Sequence, residues 1–337
     1  MLTKNEYRKL FDSFSSKKVM IIGDVMVDSY LFGKVDRISP EAPVPVVSVN
    51  HRSNRLGGAA NVALNINSMG AVPVLCSVIG KDDKADTFIK LLEKDNLPCK
   101  GIIQSKNRIT TTKFRIIGNN TQMLRVDEET ESDLEIDDRK NLLKKIESIL
   151  ENDRINVIVF QDYDKGILCR EMINAIIDLA NKFKIPVVAD PKKKNFKAYK
   201  NITLFKPNLK ELKEGLNIDY ELSEIENLSG AIEQLHKNQN IEIVLTTLSE
   251  AGVFISYKNE SNEFISCIIP AHIRSIADVS GAGDTVIGLA SLCLASKLPY
   301  SELAKISNLA GGLVCEEVGV VPINKEKLFD ELVAGLE

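Results

Sequence analysis

The chain has 337 residues, 44% of them hydrophobic, enough to bury a large core as one big domain or two smaller ones. Its formal charge of −4 comes from interleaved lysines and acids, which leaves no basic stripe for nucleic acid. Met1–Lys18 is polar and mixed in charge, unlike a signal peptide, and no apolar run approaches the roughly 20 residues that span a bilayer, so a cytoplasmic protein is expected.

Short β-branched runs alternate with amphipathic stretches along most of the chain. Val19–Ile22 reads as a first strand. It is followed by Gly23-Asp24-Val-Met-Val-Asp28, whose two acids suit several hydroxyls of one sugar, or else form a turn with a solvated acid. Val35–Asn50 is extended and spaced by Pro40, Pro43 and Pro45. Arg55-Leu-Gly57-Gly58-Ala-Ala-Asn61 introduces a helix over Gly58–Met69, with glycines that allow close approach of a ligand and an Asn61 amide that donates and accepts. Val72–Ile79 is a strand and Asp83–Asp95 a helix. Gly101–Asp127 then carries strand-like residues with a turn near Gly118-Asn-Asn-Thr. Neither 35–50 nor 101–127 fits a crossover helix, so both are expected in a small separate sheet covering a site or pairing with a second subunit.

The alternation resumes with helix Ile136–Glu151, strand Val157–Phe160, helix Arg170–Phe183, strands Pro186–Ala189 and Ile202–Phe205, helix Ser223–Lys237 and strand Ile241–Thr246. Gly252–Tyr257 and Glu263–Ile269 look like a hairpin around Lys258–Asn262, and helices return from Ala282. This order predicts a Rossmann-like α/β fold, a mainly parallel sheet with helices on both faces. Ligands of such sheets bind beyond the carboxyl ends of the strands, which puts weight on the polar residues there. They include Gln161-Asp162-Tyr163-Asp-Lys165-Gly166, Asp190-Pro191-Lys192, Lys206-Pro207-Asn208-Leu-Lys-Glu211 and Thr246-Thr-Leu-Ser-Glu-Ala-Gly252. Asn208 and Glu211 share one face of a helix start. They suit the hydration shell of Mg2+, although Asn208 could equally be a cap.

The densest signal is Asp278-Val-Ser-Gly281-Ala282-Gly283-Asp284-Thr, which runs into apolar residues at helical spacing. Free amides at a helix N-terminus bind anions, and a carboxylate in the same turn can take a proton, the pairing that phosphoryl transfer to a hydroxyl requires. Such a turn can also be an ordinary cap. The chain has no Gly-x-x-x-x-Gly-Lys-Ser/Thr loop, no protein-kinase catalytic loop and no dinucleotide fingerprint after the first strand. Cys76, Cys99, Cys169, Cys267, Cys293 and Cys315 are scattered without close pairs, and three isolated histidines form no ligand pattern, so neither disulfides nor zinc are expected.

Three of these motifs, in this order over nearly the whole chain, resemble the ribokinase-like, or phosphofructokinase-B type, carbohydrate kinases: Leu56-Gly57-Gly58-Ala-Ala-Asn61-Val-Ala, Asn208-Leu-Lys-Glu211 and Asp278–Thr285. The resemblance implies a single kinase domain over 1–337 with a small β lid, and no nucleotidyltransferase domain is expected to follow it. It also implies ATP and Mg2+, leaves a monovalent cation open, and suggests a homodimer through the lid. By similarity Asp284 is the base and Gly281, Ala282 and Gly283 the anion hole. Asp24, Asp28, Gly57, Gly58 and Asn61 hold the sugar. Leu209, Lys210, Thr247, Ser249, Gly252 and Asn308 join Asn208 and Glu211 around the nucleotide, with Mg2+ held at Glu211 through water.

One branch of the family is resembled more closely, the kinases of D-glycero-β-D-manno-heptose 7-phosphate, which phosphorylate the anomeric hydroxyl in ADP-heptose synthesis for lipopolysaccharide. The residues are Arg37-Ile-Ser-Pro-Glu-Ala-Pro-Val-Pro-Val, Met123-Leu-Arg125-Val-Asp127, Asp162-Tyr163-Asp-Lys165-Gly166 and Asp190-Pro191-Lys192, which adds Arg125, Asp162 and Lys192 to the substrate contacts. Lys193 and Leu248 depart from the usual pattern. A substrate phosphate needs cations, and one or two of Arg37, Arg108, Lys113, Arg115 and Arg125 are expected to meet it. Another sugar kinase of the family, or a sugar-phosphate sensor without catalysis, are the alternatives.

Overall fold

Strand Lys18–Gly23 sits third from one edge of a nine-stranded sheet in the computed structural model, which describes residues 2–222, 224–259, 261, 263–272 and 275–336. In spatial order the strands are Phe264–Ile269, Val253–Lys258, Ile243–Thr247, Leu204–Phe205, Val187–Asp190, Val157–Gln161, Lys18–Gly23, Val72–Gly80 and Gly101–Ser105. All neighbours pair in parallel except the last hairpin, where Val253–Lys258 runs antiparallel to both its neighbours. Parallel order is what β-branched runs separated by single helices dictate. The start of the expected helix at Ser223, and Glu260 and Asn262 of the expected turn, lie outside the described residues. The helix itself covers Ile225–Gln239.

Side-chain alternation divides the core. Val19 and Ile21 belong to one apolar layer and Met20 and Ile22 to the other, all four fully buried. Helices Ala59–Ser68, Asp83–Lys94, Ala282–Ala295, Tyr300–Val314 and Lys325–Ala334 pack in the first layer. Helices Ile136–Asn152, Arg170–Phe183, Leu209–Leu216 and Ile225–Gln239 pack in the second. The first layer also receives a helix that the polar character of the N-terminus conceals, Lys4–Ser13, opened by a Thr3–Glu6 capping box. Its Tyr7, Leu10 and Phe11, with Phe14 beyond, recur at helical spacing and are buried, each phenylalanine contributing about 1.5–3 kcal/mol. The six cysteines are free thiols.

A second sheet of four strands runs in the order Pro45–Gly58, Val25–Ile38, Thr112–Gly118 and Thr121–Glu128. Its extent differs from the expected 35–50 and 101–127. The first pair begins at Val25 and returns to Gly58, because the apolar stretch Val25–Tyr30 stays buried while it changes sheets. Gly101–Ser105 belongs to the main sheet, where Gly101 pairs with Cys76 in parallel as the product of the crossover through Asp83–Lys94. The C-terminal ends of the parallel strands, with Gly23, Gln161, Asp190, Lys206 and Thr247, open on one side of the main sheet.

Candidate active site

Gly281 caps helix Ala282–Ala295 in a left-handed conformation (φ 84°) that a residue with a Cβ rarely adopts. An added Cβ would lie 2.8 Å from Asn61 Nδ2, so the position is closed to larger residues on both counts. The Gly283 and Asp284 amides fall in the first turn, where no intrahelical acceptor exists. The Asp284 carboxylate beneath them is buried and held by three donors from three elements. Asn61 Nδ2 donates to Oδ2 at 2.8 Å, and Gln161 Nε2 and the Tyr163 hydroxyl donate to Oδ1 at 3.0 and 2.7 Å. Asn61 is fixed in turn by the helix it sits on. Asn65, one turn later, donates to the Asn61 carbonyl and accepts from Thr285, tying helices Ala59–Ser68 and Ala282–Ala295 together. Burial lifts the Asp284 carboxyl to about 6; the Asn61 and Tyr163 donors pull it down, Asp190 pushes it up and Lys206 pulls it down.

Asp190 and Lys206 end neighbouring strands and form a buried ion pair at 3.0 Å. Gln161 bridges the two carboxylates, donating also to Asp190 Oδ2 at 3.2 Å. A Cβ placed on Gly283 would stand 3.6 Å from Lys206 Nζ, so the helix N-terminus and a fixed ammonium face the same small volume. That volume is the inner end of a cleft of about 890 Å3 lined by Tyr163, Lys192, Asn208, Glu211, Gly281–Asp284 and Asn308 among others. Its size and its few convergent polar groups are those of a nucleotide-sized ligand site.

Asn208 and Glu211 form a capping box at the start of Leu209–Leu216: Asn208 Oδ1 accepts from the Glu211 amide at 2.8 Å, and Glu211 Oε2 from the Asn208 amide at 2.9 Å. Capping and cleft lining therefore coexist, and the other Glu211 oxygen pairs with Lys192. Among the described residues no three His, Cys, Asp or Glu side chains could hold a metal directly. Asp190 Oδ1 is buried without a partner in the same cleft, so Asp190 and Glu211 fit a hard cation that keeps most of its waters. Leu209, Lys210, Thr247, Ser249, Gly252 and Asn308 all line the cleft, the last donating to the Ile269 and Pro270 carbonyls.

The residues read as sugar contacts are only partly brought together: Asp24, Asp28, Gly57, Gly58 and Asn61 are neighbours, while Asp162 and Arg125 lie apart from them. Gly57 and Gly58 end the strand that pairs with Val25 and Met26, directly before Asn61. Asp28 is buried in an ion pair with Arg115 of the small sheet. Both Asp24 oxygens accept backbone amides from residues 163, 165 and 167. Asp162 points into the interior, where Tyr199 and Asn195 donate to it at 2.7 and 3.3 Å. Arg125 lies exposed on the small sheet beside Asp127, and Lys192 lies on the cleft wall, 5.6 Å from the Tyr163 ring centroid. Lys113 pairs with Asp127 and Glu129, Arg108 donates to backbone carbonyls at Ser132 and Lys165, and Arg37 is exposed. Gln161, Tyr163, Asp190 and Lys206 are at the centre of the site, although in the sequence they appear only as members of polar clusters after strands.

Over residues 16–327 the chain matches the family described as pfkB family carbohydrate kinase. It is 39% identical over 312 residues to the bifunctional protein HldE of Helicobacter pylori (strain J99), an alignment that covers 93% of this chain and 65% of that protein. To HldE of Aliarcobacter butzleri (strain RM4018) it is 37% identical over 317 residues, covering 94% and 64%. The chain thus spans a little under two-thirds of the length of these relatives. Among solved structures, phosphofructokinase-2 from Escherichia coli in complex with potassium superposes with a TM-score of 0.77 at 20% identity, over 95% of this chain and 99% of that one. Arabidopsis thaliana ribokinase complexed with ribose and ATP gives 0.69 at 16% identity, over 93% and 98%. At these identities the structural likeness shows the fold.

Proposed function

The chain belongs to the pfkB family of carbohydrate kinases, and from that premise we propose that it transfers the γ-phosphoryl group of ATP to the anomeric hydroxyl of D-glycero-β-D-manno-heptose 7-phosphate, giving the 1,7-bisphosphate. The observation that carries the proposal is the buried Asp284 carboxylate in the first turn of a helix whose N-terminus lines a cleft of about 890 Å3. The substrate is supported by the heptose-kinase-like motifs and by the likeness to the HldE proteins.

In this mechanism Asp284 takes the proton of the sugar O1 hydroxyl as O1 attacks phosphorus. The Gly283 amide and the Lys206 ammonium face the same volume and stabilise charge on the transferring group, while Lys192 meets the polyphosphate from the cleft wall. Glu211 and Asp190 would hold Mg2+ through water, and the charge neutralisation such an ion supplies to the phosphates is its share of the chemistry. Two chains are proposed to pair through the small sheet, which carries exposed Ile38, Val49, Leu124 and Val126, and the reaction to run in the cytoplasm, where ATP is held.

The test is ADP release with Mg·ATP on the heptose phosphate, fructose 6-phosphate and ribose, with Asp284→Asn as control. Turnover of the heptose phosphate alone is expected, with kcat falling roughly 10²–10⁴-fold in the variant. A loss below about tenfold removes Asp284 as the base. Preference for another sugar replaces the substrate and keeps the mechanism.

A further inference from the structure

Asp24 is almost fully buried between the first strand and the small sheet, and its carboxylate is used in an unusual way. Oδ2 accepts from the Tyr163 and Lys165 amides at 2.8 and 3.1 Å, and Oδ1 from the Ile167 amide at 3.1 Å. Alternate amides of one loop thus converge on a single side chain. The loop achieves this with two left-handed residues, Asp164 (φ 56°) and Gly166 (φ 86°), the second so confined that a Cβ would come within 2.0 Å of the Ser132 carbonyl oxygen. Such alternation makes an anion-binding concavity, and here an internal carboxyl fills it, one whose pKa burial raises while the three amides pull it down. Asp162 fastens the loop's start, accepting from the Asp164 amide at 2.9 Å and from Tyr199 and Asn195. The product of this winding is the placement of Tyr163, whose hydroxyl reaches Oδ1 of Asp284.

A carboxylate offers about four acceptor positions, two on each oxygen. On Asp284 three are filled, both on Oδ1 by Gln161 and Tyr163 and one on Oδ2 by Asn61. We propose that Asp24 is a positioning residue that winds residues 162–167 around itself so that Tyr163 joins Gln161, which its strand already holds in place, in saturating Oδ1 of Asp284, leaving Oδ2 as the oxygen that receives the substrate proton. The inference rests on the kinase mechanism above. In that step the sugar O1–H bond breaks, its proton passes to Oδ2, O1 bonds to the γ-phosphorus, and the bond from that phosphorus to the bridging oxygen gives its electrons to ADP.

The charged groups around Asp284 come from several elements: Asp190 and Lys206 at strand ends, and Lys192 and Tyr163 from the loops after strands. Burial, and then the Asp284 charge, keep the Tyr163 hydroxyl protonated far above neutral pH, so it donates throughout the working range. Removing that donor leaves Asp284 with less support for its charge, and the carboxyl must titrate higher.

The experiment follows the Asp284 carboxyl by carbon-13 NMR of Asp-labelled protein, in the native chain and in Tyr163→Phe, Asp24→Asn and Asp284→Asn, the last to assign the signal. The pH dependence of kcat/KM and the melting temperature are measured in parallel. The native carboxyl is expected to titrate near 6, and the acid limb of kcat/KM to follow it. Tyr163→Phe moves both upward by about half a unit or more, with little change in melting temperature. Asp24→Asn reproduces the displacement, and the double variant adds nothing to it. Amide exchange in the native chain shows Tyr163, Lys165 and Ile167 protected, and this reading decides the part of Asp24 should its variant fail to fold. An unmoved titration in Tyr163→Phe, or free exchange at those three amides, overturns the inference. If Asp284→Asn stays active, the kinase mechanism falls instead, whatever the titration shows.

Discussion

Burial lifts the Asp162 carboxyl to about 7, with Asp24 pushing in the same direction while Tyr199 and the Asp164 amide pull back. Its folded pKa therefore stands above the ~3.9 of an unfolded aspartate, and the folded chain holds a proton the unfolded chain has lost. Stability from this group is intact below about pH 4 and drains away as pH rises toward 7. Asp162→Asn removes that slope, so the variant should gain on the native chain by a few kcal/mol at most between pH 5 and 8. Urea denaturation at the two pH values checks it, and a constant difference between the chains would refute it. At this scale sequence legibility was uneven. Asp284 and its glycines announce themselves because anion binding at a helix N-terminus needs residues adjacent in the chain. Gln161, Tyr163, Asp190 and Lys206 meet only when separate strand ends are laid side by side, and no local spacing records that. Asp24 and Asp28 look alike in the sequence, yet one accepts backbone amides of the 163–167 loop and the other pairs with an arginine.

Among elements, the inner strands of the main sheet and their crossover helices were legible because those strands are apolar on both faces and the helices repeat at 3.6 residues, whereas the edge strand Gly101–Ser105 was read with the small sheet. The small sheet was less so. Its strands pair over long registers, Val25 with Gly58 at one end and Ile38 with Pro45 at the other, and only the exposed outer part breaks the core pattern. Helix Ala282–Ala295 is buried almost all round from Asp284 to Cys293, so its N-terminus cannot readjust without moving its neighbours. Gly281→Ala should therefore cost about 1–3 kcal/mol through backbone strain, and it presses on Asn61, which donates to Asp284. Lowered melting temperature with a loss in kcat larger than in substrate affinity is the expected pair of results. Unchanged kcat would show that Asn61 yields freely.

For the molecule as a whole, the exposed Leu124 and Val126 alternate along strand Thr121–Glu128 and so share one face of the small sheet. Leu124→Lys should turn a two-chain particle into a single chain by light scattering, with the main-sheet core and its melting behaviour little changed. A native chain of single mass would remove the pairing. The attachment of this sheet has a further, mechanical consequence. Strand Val25–Ile38 begins one residue beyond strand Lys18–Gly23 of the main sheet, and its partner passes at Gly58 straight into the helix that carries Asn61, so neither foot has a linker. Its register slips lie farther out, between Phe32 and Gly33 and between Val35 and Arg37. The sheet is thus a cantilever rooted beside the candidate active site, with its irregular pairing at mid-span. Load applied at the tip, by a partner or a passing substrate, would bend the sheet beyond Phe32 before it reached the root beside Asn61 and Asp284.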